Sequence, residues 1–265
     1  MRPAHRSGSS QKSVARDTRS GSTNHGTGAT RVSIAKESAQ IARIAPLVSR
    51  LVALSVLALS FALPAFGKEP VLLADPAAPL GEAWTHQKFN SATQYDRVTV
   101  KGVAAIRAVA RDSASGLYRD VRYDVAEHPW LAWTWRVDRL QQTADIRIKA
   151  REDFAAAIFL IFGRPSLLNR DVPTLAYVWT GGRFPENAVV DSPYHPGTVR
   201  SIVVRSGKER LGEWTQERRN VIDDFRRAFG REPPETVEAV ALFTDNDRTG
   251  EPAEAFYGAI RALPR

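Results

Sequence analysis

The clearest indication of the fold of this chain is the segment His128-Pro-Trp-Leu-Ala-Trp-Thr-Trp-Arg-Val-Asp138. Within it, large apolar side chains recur at every second position: Leu131, Trp133, Trp135 and Val137. Successive side chains of a β-strand point to opposite faces, so this alternation predicts a strand with one face in the core. The remaining positions belong to the other face: Trp130, Ala132, Thr134 and Arg136. A strand of this kind predicts a sheet that is covered on one side.

Further strands are expected on both sides of this stretch. Residues 117–125 alternate in the same way, and residues 154–162 are apolar on both faces, which indicates a central strand covered on each side. The remaining expected strands are 98–110 with a break near Lys101-Gly102, 174–180, 199–205, 236–244 and 255–263. The sequence therefore predicts a mainly β fold, an antiparallel two-sheet sandwich of the jelly-roll or galactose-binding-like kind.

One amphipathic helix is expected near residues 216–229. Its apolar side chains follow helical spacing: Val221, Ile222, Phe225, Ala228 and Phe229. Thr215 is its expected N-cap, and Gly230 with the following Pro233-Pro234 ends it. Charges of alternating sign recur every four residues, at Arg219, Asp223 and Arg227, and this spacing predicts a solvated face with ion pairs.

The N-terminal quarter of the chain indicates export. Residues 1–43 are rich in Ser, Thr, Gly and Arg, so we expect a disordered basic leader, or a start codon placed too far upstream. Residues 44–67 predict a signal peptide with an apolar core at 51–63 and cleavage after Gly67 or Ala65. Residues 68–265 would then form a single β-sandwich domain in the periplasm or outside the cell. An uncleaved membrane anchor at 45–66 is the alternative.

Charge and cysteine content exclude some classes of partner and of catalytic site. The chain holds 37 Lys plus Arg against 29 Asp plus Glu, a net charge of +8, and no cysteine. Residues 1–67 carry +7 of this charge, so the remaining domain is close to neutral at +1 and does not favour a nucleic-acid partner. Without cysteine there is no disulfide, thiolate nucleophile or Cys-ligated zinc. After signal cleavage we expect no membrane span.

The order of several motifs resembles a known family. The motifs are Ser115-Gly-Leu-Tyr-Arg, the 128–138 stretch, 149–162, Tyr177-Val-Trp179, Val204-Arg-Ser-Gly207, Trp214 with the helix to Gly230, Thr244-Asp-Asn-Asp-Arg-Thr-Gly250 and Tyr257-Gly258. Together, from about residue 84 to 263, they resemble the uncharacterised bacterial family of exported proteins known as domain of unknown function 3047. The resemblance implies no reaction, cofactor or site residue.

Common catalytic motifs are absent from the sequence. It contains no Gly-x-Ser-x-Gly, no His-Glu-x-x-His and no phosphate-binding glycine loop, which disfavours serine hydrolases, zincins and nucleotide-dependent enzymes. After residue 67 the histidines are His86, His128 and His195, and no two have ligand spacing. No cofactor is therefore expected, with calcium as the open alternative.

Calcium is suggested by Asp245-Asn-Asp-Arg-Thr-Gly250. Asp245, Asp247 and Thr249 match positions one, three and five of a calcium loop, but Phe256 stands where position twelve needs a bidentate Glu. The same residues are typical of a tight turn.

A pair of carboxyl groups that flank a glycosidic bond can also cleave that bond. The alternative hypothesis is therefore a glycan hydrolase or lyase that uses Asp153 with Asp245 or Asp247.

The leading hypothesis is a non-catalytic domain that binds a carbohydrate or another cell-envelope ligand. Indole rings stack on the C–H faces of sugars, and Trp130 and Trp179 are the tryptophans expected at the surface. The long stretch 181–197 contains three prolines, so we expect neither strand nor helix there, and it is a candidate binding loop. The expected ligand-binding residues are Trp179, Arg136, Lys149, Asp153, His195, Asp245 and Asp247. A structural envelope partner without a small ligand is a third hypothesis.

Overall fold

The computed structural model describes residues 68–164 and 172–265, and this part of the chain contains thirteen strands. The strands are β1 Val71–Ala74, β2 Thr85–Lys88, β3 Gln94–Val100, β4 Val103–Ala110, β5 Ala114–Asp124, β6 Trp130–Arg139, β7 Ala156–Ile161, β8 Thr174–Thr180, β9 Val189–Asp191, β10 Val199–Ser206, β11 Thr215–Asn220, β12 Thr236–Asp245 and β13 Ala253–Leu263. A 3₁₀ turn, Lys149–Arg151, and one α-helix, α1 Val221–Phe229, complete the described elements. The predicted basic leader, 1–43, and signal peptide, 44–67, lie outside the described residues.

The strands form two sheets, as the sequence predicts. The first has six strands in the order β11-β6-β13-β4-β3, with β1 also paired to β13, and all its pairs are antiparallel. The second has seven strands in the order β2-β5-β12-β7-β8-β10-β9. Its neighbours are antiparallel except β8 and β10, which run parallel. Since parallel neighbours need a long crossover, this pair accounts for the length of the stretch between them.

That stretch differs from the expectation in one respect. Residues 181–197 were expected to be irregular throughout, whereas residues Val189–Asp191 form β9 and pair antiparallel with β10. Val189 and Val190 explain this strand, because they are apolar and Val190 is buried in a small core on the outer face of the seven-stranded sheet. The crossover therefore adds an edge strand to the sheet that it connects.

The alternation in β6 gives the main core its aromatic centre. Leu131, Trp133, Trp135 and Val137 are all buried between the two sheets, as predicted. The ring of Trp133 lies 5.2 Å from that of Tyr177, and the ring of Trp135 lies 5.9 Å from that of Trp179, centroid to centroid. Burying an aromatic side chain in such a cluster contributes more than its area alone, because the rings prefer tilted and edge-on contacts. The first sheet is thereby fixed against the second.

Strand β7 is central, and both of its faces are covered. It pairs with β12 on one side and with β8 on the other. Ile158 and Leu160 lie in the main core, while Ala157 lies in the second core on the outer face, with Phe154 and Val190. Apolar residues on both faces are typical of such a position. The predicted central strand is confirmed.

The helix is shorter than predicted, because its first expected turn is a strand. Residues 215–220 pair with β6, and the hydroxyl of Thr215 donates to the carbonyl of Trp135, so Thr215 is not the N-cap. The side chain of Asn220 accepts from the backbone N–H groups of Ile222 and Asp223 and caps the helix instead. Gly230 ends it in the left-handed conformation, at φ 67°.

The charges of the helix also pair differently from the prediction. Arg219 and Arg227 both bind the carboxylate of Asp224, at 2.6 and 3.0 Å, and this carboxylate is buried. The Tyr177 hydroxyl donates to the same carboxylate. Asp223, at the surface, pairs with Arg226. One side of the charged face is thus part of the interior, and it holds the start of the helix against β8.

No helix within residues 68–164 and 172–265 has the length and hydropathy that a membrane crossing needs.

Candidate functional site

The structure brings the predicted carboxylates together at the end of β12. Asp153, in the segment that leads into β7, Asp245 and Asp247 each place an oxygen within 4.8 Å of the other two. Two members of this acidic cluster are buried, with Asp153 0% exposed and Asp245 4% exposed, whereas Asp247 is partly exposed. Two residues separated by about ninety positions meet here because β12 and β7 are neighbours.

Hydrogen bonds account for the position of Asp153. Its carboxylate accepts from the backbone N–H groups of Arg248 and Thr249, at 3.2 and 2.7 Å, and from the Thr249 hydroxyl at 2.6 Å. The Asp245 carboxylate accepts from the N–H of Phe154 at 2.7 Å. Asp153 therefore anchors the turn that follows β12, and Asp245 anchors the segment that precedes β7. Both carboxylates satisfy backbone donors that would otherwise be buried without a partner.

Burial shifts the titration of this cluster. The pKa of Asp245 is raised well above its usual range, first by burial and then by the neighbouring charge of Asp153. Burial also raises the pKa of Glu152 to about 7, although the Ser192 hydroxyl donates to its carboxylate at 3.0 Å and opposes the shift. Burial therefore favours the protonated form of Asp245 and of the neighbouring Glu152.

The geometry limits what the acidic cluster can do. Three carboxylates at this spacing are hard oxygen ligands of the kind that Ca²⁺ uses. The ligand set differs from the predicted calcium loop, because the Thr249 hydroxyl donates to Asp153 and Asp153 joins the set. A glycosidic bond cannot reach Asp153 or Asp245, since both side chains are buried. Neither pocket described below is lined by a residue of the cluster.

Two further predicted residues lie close to the cluster. The ammonium of Lys149 lies 4.7 Å from the centre of the Tyr194 ring, and the guanidinium of Arg248 lies 5.2 Å from the same ring. His195 follows Tyr194 in the chain and is exposed. The charge of Arg248 acts on the cluster directly, because its guanidinium pairs with the Asp247 carboxylate at 3.6 Å.

The prediction that Trp179 is exposed is wrong. The side chain is 1% exposed, packs on Trp135 and donates its indole N–H to the carbonyl of Gly207 at 3.4 Å. It lies on the face of β8 that also holds Leu175 and Tyr177, so the two-residue period places it in the core. Trp179 borders a small pocket of about 170 Å³ beside β10 but cannot stack on a sugar.

The outer face of the six-stranded sheet carries a larger pocket, which we call the trough. It holds about 440 Å³ and lies over β11, β6 and β13. Its lining residues are Ala132, Trp133, Thr134, Gln216, Glu217, Arg218, Ala259 and Arg261. The outward positions of β6 that the sequence predicts, Ala132 and Thr134, supply part of its floor.

The floor of the trough is made of small residues at an irregularity in β13. The pairing of β13 with β6 shifts between Tyr257 and Ile260, where one extra residue bulges from the ladder. A Cβ on Gly258 would lie 2.0 Å from the Thr134 hydroxyl oxygen, so this glycine leaves the space that the threonine side chain fills. Ala132 and Ala259 complete a floor with little side-chain bulk.

Polar side chains form the walls of the trough. Gln216 and Arg218 project from β11, and Arg261 projects from β13 on the opposite side. The guanidinium of Arg218 lies over the half-buried ring of Trp130, 4.4 Å from its centre. Within residues 68–164 and 172–265, the side chains of Thr134, Gln216, Arg218 and Arg261 make no hydrogen bond or ion pair with the protein. Their donors and acceptors are free to bind a ligand.

Arg136, another predicted ligand residue, is the next outward position of β6 beyond Thr134. Its guanidinium donates to the Asp138 carboxylate at 2.5 and 2.8 Å and lies 5.7 Å from the Phe256 ring centre. It therefore shares the sheet face of the trough but not the acidic cluster. The predicted residues thus separate into the acidic cluster, the trough face and, for Trp179, the core.

Comparison with known families identifies the chain. The family described as protein of unknown function, DUF3047, matches residues 82–261, which include both sheets and the helix. The chain belongs to the DUF3047 family. None of the curated proteins matches it.

Solved structures with similar folds are distant in sequence. The family 30 carbohydrate-binding module of a cellulosomal cellulase of Clostridium thermocellum has a TM-score of 0.41 and 8% identity, over 73% of this chain and 96% of that one. The family 11 carbohydrate-binding module from Clostridium thermocellum scores 0.38 at 10% identity, over 74% and 95%. Endoglucanase Cel12A from Rhodothermus marinus scores 0.38 at 11% identity, over 73% and 97%.

Sequence reasoning missed one wall of the trough. Gln216 and Arg218 were assigned to the beginning of the helix, because the six residues of β11 contain no apolar side chain. A signal was nevertheless present: Asn220 followed by Val221-Ile-Asp-Asp224 has the pattern of an N-cap with acidic residues in the first turn. Starting the helix there leaves residues 215–220 free to be a strand.

Proposed function

We propose that this protein is an exported, non-catalytic carbohydrate-binding protein and that the trough is its binding site. The observation that carries the proposal is the set of four uncommitted polar side chains, Thr134, Gln216, Arg218 and Arg261, around a floor of small residues. Export is supported by the signal-peptide pattern of residues 44–67.

The shape of the trough suits a sugar. Its volume of about 440 Å³ falls within the range of small-molecule sites, roughly 300–1,000 Å³. A sugar ring presents many hydroxyl groups around an apolar frame, so it is bound by several hydrogen-bonding side chains beside a floor that allows close approach. Thr134 and Gln216 each offer a donor and an acceptor, whereas the arginines offer donors only.

Binding without turnover is supported by the charges that line the trough. A glycosidase needs two carboxyl groups about 5–10 Å apart at the bond that it cleaves. Glu217 is the acidic residue of the trough lining, and its carboxylate accepts from Arg205 at 2.9 Å and from the Trp135 indole at 3.3 Å. That carboxylate points into the sandwich, so the trough lacks the pair that such catalysis requires.

The test is retention of the full chain on a panel of immobilised glycans, followed by titration with the best ligand. Ala132→Leu adds bulk to the trough floor and should weaken binding at least tenfold, while the melting temperature changes by only about 2 °C, since the side chain points outward. The matched control is Ala241→Leu, which adds the same bulk to a half-exposed position on the outer face of the seven-stranded sheet.

Two results would contradict the proposal. Absence of binding to every glycan would remove the proposed function altogether. Loss of binding in Ala241→Leu with normal binding in Ala132→Leu would place the glycan on the seven-stranded sheet and not in the trough.

A further inference from the structure

We infer that the trough selects an acidic oligosaccharide, with the negative group of the sugar held between Arg218 and Arg261. This inference rests on the proposed function and adds the class of ligand. It depends on the placement of two arginines that form no ion pair with any residue of the described ranges 68–164 and 172–265.

Strand register places the two arginines opposite each other. Arg218 on β11 and Arg261 on β13 both pair with the same residue of β6, Ala132. Their Cα atoms are therefore two strand spacings, about 10 Å, apart across the sheet. Both side chains lie on the outer face and extend over an alanine, so a group seated above Ala132 is within reach of both guanidinium groups.

The described residues provide no counter-charge for this pair. Neither Arg218 nor Arg261 forms an ion pair, in contrast to the arginines at positions 107 and 136 on the same face, which bind Glu254 and Asp138. Glu217, the acid that lines the trough, is committed to Arg205. The two guanidinium groups repel each other at this separation. An anion seated between them is attracted to both, and this attraction outweighs the repulsion.

The orientation of Arg218 favours an anionic ligand over a neutral one. Its guanidinium stacks on the Trp130 ring at 4.4 Å, which holds the group in place while the edges of the planar fork stay open. A guanidinium edge can donate two parallel hydrogen bonds to a carboxylate, and these bonds are stronger than those to a hydroxyl. Thr134 and Gln216, one step along the trough, would bind the hydroxyl groups of the same or the next sugar.

The experiment compares glycans of equal length that differ in charge. The full chain is titrated with an oligouronate, a sulfated oligosaccharide and a neutral oligosaccharide, each at low and high salt. We expect at least one acidic glycan to bind about tenfold or more tightly than the neutral one, with an affinity that falls as salt increases. The carboxylated and sulfated arms identify which anion the arginines take.

Substitutions assign the effect to the two arginines. Arg218→Gln and Arg261→Gln should each weaken binding of the acidic glycan about tenfold. Binding of the neutral glycan should weaken by a smaller factor, because glutamine keeps a hydrogen-bond donor for a hydroxyl group but has no charge. Arg111→Gln removes the same charge from an exposed turn at the other end of β13, since Ala110 pairs with Ala253, and should leave all affinities unchanged.

The outcomes separate this inference from the function on which it rests. Equal binding of neutral and acidic glycans, unchanged in both arginine variants, would overturn the acidic ligand and leave carbohydrate binding in place. An equal loss in Arg111→Gln would show a general effect of net charge and would also overturn the inference. Failure of every glycan to bind would overturn both.

Discussion

The acidic cluster and the trough are both polar, yet they differ in how much of their hydrogen-bonding capacity the protein itself uses. Asp153 and Asp245 are buried and accept from backbone groups of the neighbouring segments. Arg218 and Arg261 lie at the surface and bind no residue of the described chain through hydrogen bonds or ion pairs. The cluster was the stronger candidate in the sequence, because carboxylates at alternate positions before a glycine are easy to recognise.

Residue type alone therefore does not distinguish a structural polar group from a binding group. A buried carboxylate with several donors stabilises the turn that supplies them, and its removal should lower stability. A polar side chain at the surface without a partner contributes little to stability, and its removal should affect binding alone. The following three predictions test this distinction.

Removal of the Asp153 carboxylate should change the stability of the protein more than any other proposed substitution. Asp153→Ala leaves the N–H groups of Arg248 and Thr249 without their acceptor, so we expect the free energy of unfolding to fall by about 3 kcal/mol. For a domain of this size, that corresponds to a decrease of roughly 6–12 °C in melting temperature, measured by calorimetry or circular dichroism. The matched change in the trough, Arg261→Gln, should alter stability by about 0.5 kcal/mol or less. Similar losses in the two variants would remove the distinction.

An intermediate effect is expected from pH. Burial raises the pKa of Glu152 from its ordinary 4.5 to about 7, and Asp245 is shifted in the same direction. The folded state therefore binds more protons than the unfolded state over this interval, so stability falls as the pH rises from about 4.5 to about 7. Melting curves between these limits should show the decline.

Glu152→Gln should flatten this decline and raise the melting temperature at pH 8 by about 2–4 °C, equivalent to ~1 kcal/mol. The exposed Glu82→Gln is the matched control and should leave the profile of the parent chain unchanged. A flat profile in the parent chain would contradict the prediction, because it would show that folding does not raise the pKa of Glu152.

The smallest effect is expected from calcium. Hydrogen bonds occupy both oxygens of Asp153, and burial raises the pKa of Asp245 well above its usual range, which opposes cation binding by its carboxylate. Millimolar Ca²⁺ should therefore change the melting temperature by about 1 °C or less. An increase of several degrees that disappears in Asp247→Asn would instead identify the cluster as a calcium site. In that case the acidic cluster, like the trough, would be a site whose polar groups bind a ligand.

Apolar periodicity was sufficient to predict most of the fold. It placed β6, β8 and the central β7, and the predicted limits of β8 coincide with the observed ones. It could not detect β11, because this strand is polar at every position and owes its conformation to hydrogen bonds with β6. The error on Trp179 has a different origin, because two patterns in the sequence conflict there. The alternation with Leu175 and Tyr177 indicates burial, whereas the loop that begins at residue 181 suggests exposure.

The candidate site was harder to predict, because it depends on contacts between distant segments. The acidic cluster joins residues near 153 to the turn after β12, and only the observed order of strands shows that they meet. The trough requires the register that sets Arg218 and Arg261 against the same alanine. The register of a strand depends on the strand with which it pairs, and the sequence does not specify which strands pair.

The polar composition of β11 also bears on self-association. Among the described strands β11 pairs with β6 alone, so its second edge presents backbone groups to which an extended chain could add. Charged side chains on such an edge oppose this addition, and β11 carries Glu217, Arg218 and Arg219 in succession. The same residues that concealed the strand from apolar periodicity thus help to keep the six-stranded sheet from extending into aggregates.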